Sequence, residues 1–156
     1  MARSVQSDSD DLADEAWGAI ASIFMSDENH SRFHAACGAV NVSPPALKLL
    51  LGLEPGVATP MRVFADKLQC DASWVTSLVD NLEALGYVER RILPTDRRVK
   101  TVVVTRAGLA AKAKAQKILH KAPESMQALT RAEQRQLRDL IRKLVAAWEP
   151  AHEQAG

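Results

Sequence analysis

The stretch of sequence that decides the fold is residues 59–109, which read TPMRVFADKLQCDASWVTSLVDNLEALGYVERRILPTDRRVKTVVVTRAGL. Its first half carries two helix signals. Thr59-Pro60 is a capping residue followed by a proline, which predicts a short helix through residue 68. Asp71 is a second capping residue, and a glycine follows the point where a helix of residues 71–85 would end. This half therefore predicts two helices joined by a tight turn.

The second half of the stretch changes from helical to strand composition. Residues 87–92 and 100–105 are rich in β-branched and aromatic side chains, which favour strands. Residues 93–99, between them, contain a proline and several charges and are predicted to form a polar loop. Together they predict a β-hairpin with a basic tip.

Residues 71–85 divide into two faces when they are placed on a helix at about 100° per residue. The apolar face is predicted to pack inward and comprises Val75, Leu78, Val79, Leu82 and Leu85. The opposite face is small and polar and comprises Ser73, Ser77, Asp80 and Ala84, flanked by Trp74, Thr76 and Asn81. Small hydrogen-bonding side chains let a helix approach base edges in the major groove, although this face alone would fit an ordinary surface helix. The preceding short helix, the Gln69-Cys70-Asp71 turn and the basic hairpin that follows favour a DNA-reading helix.

Helical patterns flank the stretch on both sides. Before it, residues 11–25 and 29–39 have helical periodicity, and Ser43-Pro44 opens a third helix. After it, Thr105 is predicted to cap a long helix that ends near residue 122. The capping box Thr130-Arg131-Ala132-Glu133 then opens a last helix.

The order of these elements predicts the fold class. It is a mainly α fold with a small β-hairpin wing, that is, a winged helix-turn-helix with helical extensions at both ends. We expect residues 43–105 to form the DNA-binding region, and residues 1–42 and 106–156 to form a helical dimerisation region within one compact chain. The last helix carries one apolar stripe, formed by Leu137, Leu140, Ile141, Leu144, Val145 and Trp148. A monomer of this size would struggle to cover that stripe, which favours a dimer.

Composition sets broad limits on the class of protein. The chain has 156 residues, 47% of them apolar and 25% charged, which is typical of a folded globular domain and excludes disorder along its whole length. No apolar run approaches the roughly 20 residues of a membrane span, and the acidic N-terminus lacks the apolar core of a signal peptide. Two cysteines cannot build a disulfide framework, which favours the cytoplasm.

The net charge of +1 conceals an uneven distribution. The first 15 residues hold five acids and one base. Residues 88–106 hold six bases and two acids, a net charge of +4. A basic wing next to a small polar helix face is the electrostatic pattern of a nucleic-acid-binding protein.

The sequence resembles the MarR family over residues 59–109. The resemblance rests on FADKLQCDASWVT at 64–76, LVDNLE at 78–83, LGYVER at 85–90, the wing PTDRRVK at 94–100 and VTRAG at 104–108. It implies a homodimeric transcriptional regulator, usually a repressor, that binds a pseudo-palindromic operator in double-stranded DNA. In that family the terminal helices of two subunits interlock as the dimer interface.

The resemblance also implies which residues contact DNA. The helix of residues 71–85 would enter the major groove, and the wing of residues 93–99 would reach the minor groove. The positions implied are Ser73, Trp74, Thr76, Ser77 and Asn81 on the helix, and Asp96, Arg97, Arg98 and Lys100 on the wing. Asp96 is expected to hold a wing arginine in place by a charge-assisted bond. Trp74 and Asn81 depart from the family's usual residues, so the operator cannot be inferred from relatives. Three roles are open for Trp74: contact with a thymine methyl group, contact with a sugar, or packing beside the wing.

The family resemblance further implies release from DNA by a small aromatic ligand. The pocket would be lined by Trp17, Ile20, Phe24, His34 and Cys37. The alternative is that the apolar members of this set belong to the core and bind nothing.

Three other interpretations are open. His30, His34 and Cys37 share one helix face, but they lack a fourth ligand and the usual spacing, so no metal or other cofactor is expected. Cys37 or Cys70 could sense oxidants, although buried core thiols are the more common case. A helical interaction module that does not bind DNA would leave the basic wing unexplained. We expect no enzyme activity and predict no catalytic residues, because the chain has no phosphate-binding loop, no nucleophile elbow and no zinc-protease motif.

Overall fold

The computed structural model describes the backbone of residues 2–93 and 96–153, and the side chains of residues 11–92 and 99–147. Its contacts group the chain into two units, Met1–His120 and Lys121–Gly156. The predicted division into a DNA-binding region of residues 43–105 and a dimerisation region of residues 1–42 and 106–156 is a functional one and stays a prediction.

The first unit contains helices and a small sheet. In chain order its elements are α1 (Ala2–Phe24), α2 (Asp27–Val40), α3 (Pro44–Leu51), β1 (Thr59–Pro60), α4 (Met61–Leu68), α5 (Ala72–Ala84), β2 (Val88–Leu93), β3 (Asp96–Val104) and α6 (Arg106–Leu119). The predicted fold class, mainly α with a small hairpin wing, is confirmed. Helix α1 begins nine residues before the predicted residue 11.

The predicted helix caps of this unit are present, with one exception. The hydroxyl oxygens of Ser43 and Thr105 accept bonds from backbone amides in the first turns of α3 and α6, and the carboxylate of Asp71 does the same for α5. The cap predicted at Thr59 is wrong, because Thr59 and Pro60 form strand β1 and pair with Val102 and Thr101 of β3. Helix α4 then starts at Met61, with no side-chain cap bond.

The sheet is antiparallel, in the order β1-β3-β2. Strands β2 and β3 form the wing, in register from Val88 opposite Val104 to Ile92 opposite Lys100. The register shifts after Ile92, so that Leu93 pairs with Asp96. Residues 93 and 96–99, predicted as loop, are therefore strand, because ladder pairing continues through the charged residues. Residues 94 and 95 lie outside the residues that the structure describes.

The core of this unit lies between α2, α3, α5, α6 and the base of the wing. Val75, Val79 and Leu82 on the inner face of α5 have no exposed surface, and Leu78 has little. The face predicted to pack inward is therefore confirmed. Leu85, at the end of the helix, is half-buried. The four buried residues of this face pack in one cluster with Leu47, Leu49, Leu50, Leu53, Phe64, Val88, Val102 and Val104. The burial fixes the rotation of α5, so that its opposite, polar face is exposed.

The connection from α5 to the wing is held by hydrogen bonds with Thr105, the cap of α6, and with Val40 of α2. The hydroxyl of Thr105 donates to the carbonyl of Gly86 at 2.6 Å, and the Thr105 amide donates to the carbonyl of Tyr87 at 3.0 Å. The hydroxyl of Tyr87 donates to the Val40 carbonyl at 3.1 Å. Gly86 has a φ of 72°, in the left-handed region that favours glycine. These bonds set the angle at which the wing leaves the body of the unit.

The second unit contains a 3₁₀ turn, Glu124–Ala128, and helix α7, Arg131–Glu153. The predicted capping box is confirmed: the Thr130 amide donates to Glu133 Oε2 at 2.8 Å, and the Glu133 amide donates to Thr130 Oγ1 at 3.3 Å. The apolar stripe of α7 is exposed at Leu137, Leu140, Ile141, Leu144 and Val145, while the side chain of Trp148 lies outside the description.

Candidate nucleic-acid interface

The first turn of α5 is fixed by the Asp71 carboxylate. Asp71 Oδ1 accepts hydrogen bonds from the Trp74 amide at 2.9 Å and from the Ser73 hydroxyl. The bond from Ser73, followed by that from the Trp74 amide, lowers the pKa of Asp71. The positions of Ser73 and Trp74 are therefore set by the cap.

The outer face of α5 is exposed, as its sequence predicted. Trp74 retains 42% of its surface, and Ser73, Thr76, Ser77 and Asn81 are also exposed. Thr76 donates its hydroxyl proton to the Ala72 carbonyl at 2.9 Å, and Ser77 donates to the Ser73 carbonyl at 3.3 Å. The five helix residues expected to contact DNA thus lie on or beside one accessible face.

Arg90 joins this helix to the wing. Its guanidinium forms ion pairs with Asp80 and Glu83 on α5 and donates to the Thr76 carbonyl at 3.3 Å. Its backbone amide also donates to Glu83 Oε1 at 3.1 Å. Burial lowers the pKa of Arg90, but the bonds to Asp80 and Glu83 outweigh burial and raise it. Arg90 therefore stays charged and joins strand β2 to helix α5; we call this set of contacts the Arg90 clamp.

Arg90 is one of the six bases in residues 88–106, but acids of helix α5 pair with it in the fold. A charge count along the chain does not show that Asp80 and Glu83 neutralise it from the neighbouring helix. Arg91 is likewise paired with Glu89, in an exposed ion pair. The only signal in the sequence for the Arg90 clamp is the presence of two acids on an otherwise uncharged helix.

The wing carries the other residues expected to contact DNA. Lys100 lies on β3 and is exposed, and its backbone pairs with Ile92. Asp96, Arg97 and Arg98 belong to the same strand, but their side chains lie outside the described residues. The expected bond between Asp96 and a wing arginine therefore stays a prediction.

A cleft of about 390 Å³ lies between the start of α5 and the wing. Its lining includes Met61 and Arg62 on α4, Thr76 on α5, and Val99 and Lys100 on β3. The sequence pattern does not reveal this cleft, because strand β1, which brings the start of α4 to the sheet, has the pattern of a helix start. The cleft has basic side chains at its border beside the exposed face of α5.

The residues expected to bind a small ligand are only partly brought together. Trp17 and Phe24 on α1 are more than half exposed, Ile20 is half-buried, and Cys37 on α2 is buried. A cavity of about 360 Å³ includes His34 but is otherwise lined by Asn29, His30, Phe33, Pro44 and Lys48. The predicted pocket thus shares His34 with this cavity, and the other four predicted residues do not line it.

The two thiols lie in environments that oppose reactivity. Burial raises the pKa of Cys37, which is 4% exposed. Desolvation, followed by the adjacent Asp71 carboxylate, raises the pKa of Cys70. Because the thiolate is the reactive form, both environments reduce the reactivity expected of an oxidant sensor. Within the described part of the chain, no three His, Cys, Asp or Glu side chains are grouped to hold a metal ion.

The model of the MarR family matches residues 42–100, which contain α3, the sheet strands up to the middle of β3, α4 and α5. The resemblance predicted from the sequence is therefore confirmed for this segment. No curated protein matches the chain. In the part of the chain that is described, no helix has the length and apolar character needed to cross a membrane.

Solved structures share the fold over most of the chain. The transcriptional regulator Tm0710 from Thermotoga maritima is similar with a TM-score of 0.70 at 20% identity, covering 92% of this chain and 98% of that one. Wild-type MarR from E. coli, in its apo form, has a TM-score of 0.61 at 21% identity, with 75% and 88% covered. A MepR–DNA complex from S. aureus also has a TM-score of 0.61, at 17% identity, with 83% and 98% covered.

Proposed function

We propose that this chain, whose residues 42–100 match the MarR family, is a sequence-specific DNA-binding transcriptional regulator rather than an enzyme. The observation that carries the proposal is the exposed polar face of α5, held beside a basic wing by the Arg90 clamp. A helix presented in this way fits the major groove, and a wing of two strands fits the adjacent backbone or minor groove. The similarity in fold to a MepR–DNA complex supports the same mode of binding.

The proposed regulator acts as a homodimer. Large apolar side chains are exposed on α1, where Leu12, Ile23 and Phe24 each retain more than 60% of their surface, and on α7. Exposed apolar surface of this extent usually marks an interaction site. A two-fold axis would place two copies of α5 about one turn of DNA apart, on a pseudo-palindromic operator.

We further propose that the protein represses transcription from the cytoplasm and is released from DNA by a small aromatic ligand. The cavity beside His34 lies within the usual size range of ligand sites and is lined by aromatic, aliphatic and basic side chains. Trp17, Ile20, Phe24 and Cys37 remain predicted ligand contacts. An aromatic ligand that binds there should lower the affinity of the purified protein for its operator.

DNA binding by the purified protein tests the central proposal. Duplexes that it enriches from a random library should bind with an affinity that falls steeply as salt rises, because phosphate contacts release counterions. Arg98→Ala should weaken binding at every salt concentration and leave the circular dichroism spectrum unchanged. An unchanged affinity in Arg98→Ala would contradict the wing assignment, and the absence of any enriched duplex would contradict DNA binding itself.

A further inference from the structure

Helix α5 carries no lysine, arginine or histidine along Ala72–Ala84. The commonest specific contact of proteins with guanine is a paired hydrogen bond from Arg or Lys to O6 and N7. In addition, the carboxylates of Asp80 and Glu83 on this helix are engaged by Arg90. The helix that faces the groove therefore lacks the side chains that normally recognise guanine.

The hydroxyls of the exposed face are arranged as acceptors. Ser73 donates its proton to Asp71, Thr76 to the Ala72 carbonyl and Ser77 to the Ser73 carbonyl. Each hydroxyl oxygen keeps lone pairs for an outside donor. In the major groove the donors are the amino groups of adenine and cytosine, whereas guanine presents two acceptors. With these internal bonds in place, the hydroxyl oxygens complement an amino group better than they complement the two acceptors of guanine.

Trp74 adds an apolar surface at the same face. It is the only large apolar side chain among the exposed residues of α5, and its backbone amide is already bonded to Asp71. Thymine carries the only apolar group on the major-groove edges, its 5-methyl group. The indole N–H is a single donor and cannot make the paired contact that guanine favours. Trp74 is therefore better suited to thymine than to any other base.

We infer, on the basis of the proposed function, that α5 reads A·T base pairs, with Trp74 as a specificity-determining residue that contacts a thymine methyl group. The hydroxyls of Thr76 and Ser77 accept from the amino group of adenine. Cytosine is disfavoured although it has an amino group, because its guanine partner places two acceptors beside that amino group. Asn81, also exposed on α5, fits adenine through its amide.

Base analogues in an enriched duplex test this inference with the wild-type protein. Replacing thymines one at a time by deoxyuridine removes only the methyl group. We expect at least one replacement in each half-site to weaken binding about fourfold, the equivalent of one buried methylene. Replacing guanines within the segment contacted by α5 by 7-deazaguanine, which lacks N7, should leave the affinity unchanged.

The variant Trp74→Ala assigns the effect to its residue. It should bind the thymine and deoxyuridine duplexes equally, while Trp74→Phe, which keeps an aromatic ring, should retain part of the difference. Unchanged binding of wild type to every deoxyuridine duplex would overturn the inference, as would a loss of affinity with 7-deazaguanine. A methyl preference that persists in Trp74→Ala would overturn the role of Trp74. Failure to enrich any duplex would instead contradict the proposed function.

Discussion

The carboxylate of Asp71 determines how the first turn of α5 presents Ser73 and Trp74. Both of its bonds are stronger to the ionised form, so its pKa is lowered, first by the Ser73 hydroxyl and then by the Trp74 amide. A group whose pKa is lower in the folded state stabilises the fold above its unfolded pKa. That stabilisation is lost as the pH falls through the folded pKa.

The stabilisation from Asp71 should therefore disappear in acid. We expect Asp71→Ala to have a lower melting temperature than wild type at pH 6, and the difference to shrink as the pH falls from about 4 towards 2. Melting curves followed by circular dichroism at each pH measure this difference. A difference that stays constant down to pH 2 would contradict the role of the charged cap.

Among the glycines that the structure describes, Gly108 is the one at which an added Cβ atom would clash with the backbone. A Cβ atom at this position would lie 1.9 Å from the Tyr87 carbonyl oxygen and 2.8 Å from Val104 Cγ2. The oxygen belongs to the backbone of the connection between α5 and the wing, which is held by Thr105, so it cannot move away freely. The close approach of α6 to this connection therefore requires glycine.

Gly108→Ala should destabilise the protein by about 3 kcal/mol or more, at the upper end of overpacking costs. Gly38→Ala is the matched control, because nothing lies within 4 Å of a Cβ atom there. In helix α2 that control should be neutral or stabilising by up to about 1 kcal/mol. Urea denaturation of the two variants measures the difference. Equal stabilities would show that the contact with Tyr87 can relax.

At the scale of elements, the Arg90 clamp couples helix α5 to strand β2. The Arg90 side chain is 28% exposed, and those of Asp80 and Glu83 are 60% and 38% exposed. Ion pairs with this much contact with water contribute little to stability, about 1 kcal/mol or less each. The clamp should therefore act mainly on DNA binding. It fixes the wing beside α5, and it neutralises the carboxylates of Asp80 and Glu83, which would otherwise repel the phosphates of DNA.

Arg90→Ala should weaken DNA binding roughly tenfold while lowering the free energy of unfolding by only about 1 kcal/mol. Arg138→Ala, which removes an exposed ion pair with Asp139 on α7, is the control and should change neither quantity. Fluorescence anisotropy with a labelled duplex and urea denaturation measure the two effects. In the Arg90→Ala background, Asp80→Ala should recover part of the affinity. A loss of stability without loss of DNA binding would refute the coupling.

The local elements of the fold could be predicted from the sequence, and the non-local ones could not. The caps at Ser43, Asp71 and Thr105 involve residues three positions apart, so the sequence contains both partners. Strand β1 has only two residues and exists because Val102 and Thr101, which lie 43 and 41 positions later, pair with it, a contact that no local pattern encodes. The hairpin was recognised, but its strands extend into the charged segment predicted as loop.

The features of the candidate site also divide into local ones, which the sequence predicts, and non-local ones, which it does not. The exposed and buried faces of α5 followed from helical periodicity, because one face packs on the core. The pairing of Arg90 with Asp80 and Glu83 depends on how the wing folds back beside α5, so a charge count could not show it. Four of the five predicted ligand residues do not line the cavity at His34, for a related reason. The resemblance implied a set of pocket residues, whereas the packing of side chains decides which residues line a cavity.

At the scale of the whole molecule, the exposed apolar stripe of α7 is the feature that most needs a partner. Leu140 and Leu144 lie one helical turn apart and retain 62% and 54% of their surface. Because both are exposed in the single chain, charged replacements there should cost the isolated fold little. They would, however, place buried charges in any interface that covers this stripe.

The double variant Leu140→Glu/Leu144→Glu should therefore be monomeric where the wild-type protein is dimeric. Size-exclusion chromatography with light scattering measures the mass, and circular dichroism should show an unchanged helix content. Arg135→Glu, on the opposite side of α7, is the control for added negative charge and should stay dimeric. Because a monomer engages one half-site instead of two, its affinity for a palindromic duplex should fall by about 100-fold or more. A double variant that keeps the dimeric mass would place the interface elsewhere, and a monomer with full affinity would refute the two-half-site mode of binding.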